Sequence, residues 1–237
     1  MKRRWIIPLG VAVVVLLAAL LWCFGKNNAV EETEEETYGS EEELVLSLMP
    51  CTVMVTAGEN HASGVILEIS DDEVTLITAG HLMEGYDQGI ITFTTGNAGF
   101  GDVKYISDNP DICIMTFGTR YIDDSLLSEL KAAKHSQDKY DELAKDDPVY
   151  LVGSAISTGS NAVSGRVAAK DFYVEDFDAR MLYLYTDVMA GMSGCGVYDE
   201  NGYLVGTLAG GNGAGEAVCV SLPQIYEKWE EIKNDKN

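Results

Sequence analysis

Basic residues are scarce. Sixteen Lys and Arg stand against thirty-eight Asp and Glu, a formal charge of −22 over 237 residues. Four of the sixteen (Lys2, Arg3, Arg4, Lys26) precede residue 27, where no acid falls. From there on, twelve bases face thirty-eight acids, a balance of −26. So acidic a surface repels phosphate, which excludes sequence-independent nucleic-acid binding. The five cysteines form no C-x-x-C pair and no zinc-type His/Cys spacing, which disfavours a structural metal site. Gly96-Asn97-Ala98-Gly99-Phe100-Gly101 fits neither a dinucleotide fingerprint nor a phosphate-binding loop. Gly210-Gly211-Asn212-Gly213-Ala214-Gly215 lacks the Lys-Ser/Thr and the helix that such a loop needs. No internal repeat occurs. With 46% hydrophobic and 23% charged residues, wholesale disorder is excluded and a core of one or two small domains is expected.

One apolar run is long. Trp5 to Phe24 gives twenty positions without a charge. At about 1.5 Å per residue it spans roughly 30 Å, the hydrocarbon thickness of a bilayer. Lys2, Arg3 and Arg4 precede it and Glu-rich sequence follows. The charge rule therefore predicts a cytoplasmic tip and transmembrane signal-anchor over 1–26, with the rest of the chain outside the membrane. A cleaved signal peptide is the alternative. Against it, the run exceeds the ~7–15 residue core of such peptides and no small-x-small site follows. Trp22 before Cys23 speaks against a lipid-modified cysteine. Residues 27–45, with eight Glu between Glu31 and Glu43, read as an acidic disordered stalk, because like charges at that density repel one another.

Beyond residue 45 the pattern becomes short β-type runs. Thr52–Thr56, Gly64–Ile69, Val74–Thr78, Ile90–Thr94, Asp102–Ile106 and Ile112–Phe117 form one set. Pro148–Val152, Ser164–Ala168, Met181–Thr186, Gly196–Tyr198, Tyr203–Leu208 and Ala217–Val220 form a second. Turn chemistry such as Gly58-Glu59-Asn60 and Asp108-Asn109-Pro110 separates them. Most gaps hold no helix, so a parallel α/β sheet is excluded and antiparallel barrels or sandwiches are expected. Asp124 to Lys145, with Leu126, Leu127, Leu130 and Ala133 at helical spacing, predicts a helical connection over 121–146 between units at 46–120 and 147–222. Ser221-Leu222-Pro223-Gln224 carries a capping-box signature, and Ile225, Trp229 and Ile232 share one face, which predicts a C-terminal helix over 223–237. His61 and His135 have no ligand partners in sequence and read as surface residues.

Three positions draw attention together. His81 ends an apolar strand, Asp111 opens another after a turn, and Ser193 lies in Gly191-Met192-Ser193-Gly194-Cys195-Gly196. Each has an ordinary explanation alone: a satisfied core histidine, a strand-start cap, a flexible turn. As a set they match what an activated serine needs. The hydroxyl requires a base, the base requires an acid to fix its tautomer, and the oxyanion requires backbone N–H groups aimed at one point. Glycine at 191 would let the amides of Gly191 and Ser193 converge.

Thr78-Ala79-Gly80-His81, Asp111-Ile112-Cys113-Ile114 and Gly191-Met192-Ser193-Gly194, in that order, resemble the three signature blocks of trypsin-like (chymotrypsin-fold) serine proteases. The flavour is that of the bacterial HtrA/Deg-type protease domain. There too the His-to-Asp gap is about thirty residues, a Thr-Asp pair like Thr186-Asp187 precedes the serine block, and a hairpin like that around Asn201-Gly202 follows it. The resemblance covers residues 47–232. It implies an all-β fold of two six-stranded antiparallel β-barrels with a C-terminal helix, here preceded by the N-terminal transmembrane helix. It further implies a serine endopeptidase acting on polypeptide substrates, with His81 as base and later acid, Asp111 orienting it, Ser193 as nucleophile, Gly191 and Ser193 forming the oxyanion hole, and neither metal nor organic cofactor. Leu208-Ala209-Gly210-Gly211 corresponds to the strand that pairs with the substrate backbone, making Ala209, Gly210 and Gly211 binding residues. Asp187, six residues before Ser193, either selects Arg or Lys as in trypsin or belongs to the Thr-Asp pair, which is no such selector. The chain departs from the family at Met192, where Asn or Asp is common, and at Cys195. That thiol is either a small core residue or pairs with Cys219, Cys51 or Cys113. The peptide-binding PDZ domain usual in HtrA-type enzymes is not expected. The rival reading is a catalytically weak, protease-like domain that binds peptides or a partner protein.

Overall fold

The computed structural model describes residues 37–94, 98–154 and 162–235. It opens with helix α1 (Glu41–Leu48). Ser40 caps it in an extended conformation, its hydroxyl accepting the Glu43 N–H at 3.2 Å. Glu41, Glu42 and Glu43 fill the first turn, where the helix dipole favours negative charge. Leu44 and Leu48, one turn apart, are buried. The expectation of a disordered stalk reaching residue 45 is thereby corrected: acids that repel one another in a coil stabilise the start of a helix that has two leucines to bury. Residues 27–36 of the expected stalk, and the apolar run 5–24, lie outside the described residues. Among those described, no helix is long and apolar enough to cross a membrane.

Next come strands β1 (Thr52–Ala57), β2 (Asn60–Ile69) and β3 (Glu73–Thr78), the one-turn helix α2 (Gly80–Met83), then β4 (Gln88–Phe93), β5 (Ala98–Asp108) and β6 (Asp111–Gly118). These six strands close into an antiparallel barrel in the order β1-β2-β3-β6-β5-β4. Alternation along the strands shows what each face meets. In β4, Gly89, Ile91 and Phe93 are buried while Gln88 and Ile90 are exposed, so one face is solvated. In β2, Ala62 to Leu67 are buried without interruption. Ile66 points into the barrel with Leu76, Ile91 and Met115, whereas Val65 and Leu67 join a second core with Ile77, Ile112 and Ile114. Strands β2, β3 and β6 are thus buried on both faces, and their outer residues form a wall against the second half of the chain.

The connection is not one helix. It holds α3 (Asp124–Leu127), a two-residue strand β7 (Lys134–His135) and α4 (Gln137–Glu142). The expected continuous helical segment is corrected because Ala133 is buried, its N–H bonding Ile66 O at 2.8 Å, and β7 joins a sheet. Long-range pairing overrides the local helical spacing.

The second sheet comprises β7 with β8 (Pro148–Val152), β9 (Ala162–Val174), β10 (Ala179–Tyr185), β11 (Gly196–Tyr198), β12 (Tyr203–Gly211) and β13 (Glu216–Ser221). Its order is β11-β8-β9-β10-β13-β12-β7, and β11 also pairs with β12. All pairings are antiparallel except β12 with β7, which is parallel. All twelve runs read from the sequence fall on strands, Thr94 and Thr186 lying just past the ends of β4 and β10; several strands extend further, β9 the most. Helix α5 (Leu222–Asp235) follows. Gln224 Oε1 accepts the Ser221 N–H at 2.9 Å, the back-bond of the expected capping box.

Ile225 and Trp229 of α5 are buried. His135 is no surface residue: its Nδ1 lies 2.6 Å from the Tyr226 hydroxyl, and its ring meets Tyr226 and Trp229 edge-on at 5.4 and 5.5 Å. Burial pushes its pKa below the usual value. The histidine fastens α5 to the connection. His61 is exposed and shares a 3.1 Å contact with Thr56 Oγ1.

Candidate active site

Strand β3 delivers His81 as the second residue of α2, and β6 begins at Asp111. Between them stands Gly80. A Cβ there would overlap the Ser107 carbonyl and come within 3.0 Å of Asp111 Oδ1, so the close approach of the two segments requires glycine. Asp111 grips His81 twice: Oδ1 accepts its backbone N–H at 2.7 Å and Oδ2 contacts ring Nδ1 at 2.8 Å. The Asp111 side chain is 2% exposed and that of His81 54%. An ionised carboxylate only accepts, so Nδ1 carries the proton and Nε2 is left with a lone pair directed outward. The hydrogen bond to Asp111 raises the His81 pKa above the ordinary value. Partial burial opposes this, while the charges of Asp111 and Asp108 reinforce it.

Ser193 sits in the loop between β10 and β11. Its carbonyl accepts the Ser63 N–H at 2.8 Å, and Thr78 Oγ1 donates to Ser63 O at 2.7 Å. Gly194, at φ +77°, presses on the same place: a Cβ would overlap Ser63 O and lie 2.8 and 2.9 Å from Thr78 Oγ1 and Ala79 N. The serine loop is thus seated on the strand end that carries His81 three residues later. Among the described residues no hydrogen bond joins the Ser193 hydroxyl to His81. In unliganded sites such bonds are often long and tighten as substrate enters.

The amides around Ser193 divide clearly. Met192 N–H bonds Met189 O at 3.1 Å, Gly194 N–H bonds Leu208 O at 2.7 Å and Cys195 N–H bonds Met192 O at 2.9 Å. Gly191 and Ser193 donate to no acceptor among the described residues. Gly191, at φ +88° with nothing within 4 Å of a built Cβ, takes a backbone conformation that other residues rarely adopt. Met192 is 2% exposed, its side chain buried in the second core.

Ser63 is a hub that reading the sequence missed. Fully buried, it supports Ser193 through its N–H, accepts Thr78 through its carbonyl and accepts Ser154 N–H through Oγ at 2.9 Å. The available signal was a small hydroxyl within the apolar run of β2. Register separates Cys195 from Cys219. Cys195 O accepts from Leu208 N, and Leu208 lies opposite Cys219. The two cysteines are therefore two strand spacings apart, roughly 9–10 Å, beyond the ~7 Å Cα separation that a disulfide spans. Cys51, Cys113, Cys195 and Cys219 are all free and buried. Burial pushes the Cys113 and Cys195 thiols up to about 12, the Asp111 charge adding at Cys113.

Of the remaining sequence candidates, Ala209 is buried, Gly210 half-buried and Gly211 exposed, all on β12. Asp187 is exposed, its Oδ1 3.7 Å from a Cβ built on Gly215. Thr186 beside it is buried and donates to Ser164 O at 3.0 Å. Among the described residues no group of three or more His, Cys, Asp or Glu converges as a metal site would require.

The trypsin-like peptidase domain family matches residues 62–206, a span that holds His81, Asp111 and Ser193. This chain belongs to the trypsin-like peptidases. No curated protein matches it in sequence. Among solved structures it is similar to the HtrA-type protease AlgW with a decapeptide, at a TM-score of 0.69 and 14% identity over 82% of this chain and 68% of that one. At that identity the likeness speaks for the fold. A trypsin-like peptidase with the mostly-β architecture of an HtrA-type protease accounts for the closed first barrel, the second sheet and the C-terminal helix.

Proposed function

We propose that this trypsin-like peptidase is a serine endopeptidase working through Ser193, His81 and Asp111. The observation that carries the reading is the double grip of Asp111 on His81, at 2.7 and 2.8 Å, together with the free amides of Gly191 and Ser193. Ser193 Oγ attacks the scissile carbonyl and its proton passes to His81 Nε2. Asp111 holds the imidazolium that forms, and the tetrahedral oxyanion is received by the two amides. His81 then gives the proton to the leaving amine, the C–N bond breaks, and the acyl-enzyme is hydrolysed by water activated at the same nitrogen. Removal of one oxyanion donor costs about 3–4 kcal/mol in such sites.

The substrate is a polypeptide, held as an added strand on Ala209, Gly210 and Gly211. In this reading the β11–β12 pairing makes the second sheet the family's second barrel. The apolar run 5–24, preceded by Lys2, Arg3 and Arg4, anchors the protein in a membrane with the catalytic domain outside. The competing reading, a weakly catalytic binding domain, draws on the lack of a hydrogen bond between Ser193 and His81. A fluorophosphonate separates them. The full-length chain should form a covalent adduct on Ser193, lost in Ser193→Ala and His81→Ala. Folded protein that takes up no label favours the binder.

A further inference from the structure

Two rings at one end of the first barrel stand in water. Phe100 is 70% exposed and Tyr121 67%. The outward turn of Phe100 follows from its neighbours. Cβ atoms built on Gly99 and Gly101 would overlap the side chains of Phe117 and Ile91, both in the barrel core. Strand β5 therefore turns its glycines inward and Phe100 to solvent. Ile90, opposite Phe100 on β4 and also exposed, widens the apolar strip. Tyr121 is placed from the other side. Thr119 donates its N–H to Asp72 O at 3.0 Å and its hydroxyl to Asp71 O at 2.6 Å, which pins the chain after β6 to the turn between β2 and β3.

The two rings line a cavity of about 790 Å³ together with Arg120, Asp72, Glu73 and Asp102. Three carboxylates against one guanidinium leave an excess of negative charge. Lys104, 3.5 Å from Asp102, offsets part of it from outside the cavity. Arg120 shows how the site receives a guanidinium: its Nη2 donates to the Tyr121 hydroxyl at 2.7 Å and its Cζ stands 4.7 Å from the ring centroid. Among the described residues no cation covers Phe100. The cavity is remote from the catalytic candidates. Glu73 and Gly118 lie opposite each other where β3 begins and β6 ends, whereas β3 leads to His81 at its far end and β6 opens on Asp111. At about 3.3 Å per residue, β6 puts roughly 20 Å between the two places.

We propose that this cavity docks a basic, extended segment of a partner protein, seating an Arg or Lys side chain against Phe100. Three features point to that occupant. An exposed ring attracts a cation over its face, and guanidinium stacks best. The Ile90–Phe100 strip accepts the aliphatic stem of such a side chain while the carboxylates take its charged end. The balance of −26 beyond residue 26 steers a basic partner toward the chain and repels an acidic one. The docking does not depend on Ser193 being a nucleophile.

The test uses full-length Ser193→Ala protein, so that binding is read without cleavage. Its probes are fluorescein-labelled octapeptides carrying Arg-Leu-Arg in a Gly/Ser background, with counterparts in which norleucine or Glu replaces both arginines; binding is followed by anisotropy. The Arg peptide should bind at least about tenfold more tightly than the norleucine peptide, and the Glu peptide should not bind. Phe100→Ala and Tyr121→Ala, added singly, should each weaken the Arg peptide about three- to thirtyfold. Both side chains are exposed, so these truncations leave the core intact, and neither alters the charge of the chain. Asp72→Asn combined with Asp102→Asn should bring the Arg peptide close to the norleucine level. Failure of the Arg peptide to bind, or equal binding of the norleucine peptide, overturns the proposal. So does an Arg peptide held equally well by wild-type residues and by both ring variants, because the acidic surface at large would then be holding it.

Discussion

Replacing Asp111 with Asn changes one atom in a buried contact and should reverse the polarity of the histidine above it. The carboxylate uses Oδ1 for the His81 backbone N–H, at 2.7 Å, and Oδ2 for Nδ1, at 2.8 Å, with its side chain 2% exposed. Asn fits the same space. Its carbonyl oxygen takes the Oδ1 place, because the backbone N–H there needs an acceptor, and the amide NH2 must then face Nδ1. Nδ1 becomes the acceptor and the proton moves to Nε2, the atom that has to receive the Ser193 proton. The imidazolium also loses its counter-charge. The wrong tautomer costs about 10⁴ in turnover in the archetypal triad, about 5 kcal/mol of transition-state stabilisation at ~1.4 kcal/mol per decade. The cost here should be similar. Because the contact that raises the His81 pKa is gone, the pH midpoint of the residual rate should fall. The assay is kcat/KM on a peptide from pH 5 to 9, with the rate of fluorophosphonate labelling in parallel. Activity within tenfold of wild type, with an unmoved midpoint, would refute the tautomer argument.

Wild-type kcat/KM should rise with pH to a midpoint above the ~6.5 of an ordinary histidine, because Asp111 favours the protonated ring; a rate flat from pH 5 to 9 excludes a histidine base. The same shift acts on stability. Since the folded pKa is the higher one, the stabilising contribution is complete below about pH 6.5 and vanishes as pH rises through the folded value, so the gap in melting temperature between wild type and His81→Gln should narrow as pH rises from about 6.5 through that value. Gly80→Ala puts a methyl into the Ser107 carbonyl and should cost about 1–3 kcal/mol in denaturant unfolding, with lower activity because Asp111 is displaced; an unchanged midpoint would contradict the packing argument. The buried thiols should resist iodoacetamide in the native protein and all react after denaturation without reductant, which a mass shift counts; two thiols that react only after reduction would reveal a disulfide and contradict the structure.

The strands were legible because each alternates apolar and polar residues, or runs apolar between turn residues, and both patterns are local. The three candidate residues stood out because glycine clustered around one serine and the order matched a known set. What escaped depends on distant partners. The acidic run hid α1, since its charges said coil while Leu44 and Leu48 needed a core that arrives later in the chain. His135 looked solitary because Tyr226 and Trp229 lie some ninety residues on. Ser63 drew no notice because its partners Ser193 and Ser154 lie far downstream.

The wall formed by β2, β3 and β6 has a consequence for modularity. Val65, Leu67, Ile77, Ile112 and Ile114 belong to one half by connectivity and to the other by burial. A gene fragment ending near residue 120 would encode a polypeptide with a naked oily side, which sticks to itself unless its complement is co-synthesised. The two halves have therefore to be made and degraded as a single piece.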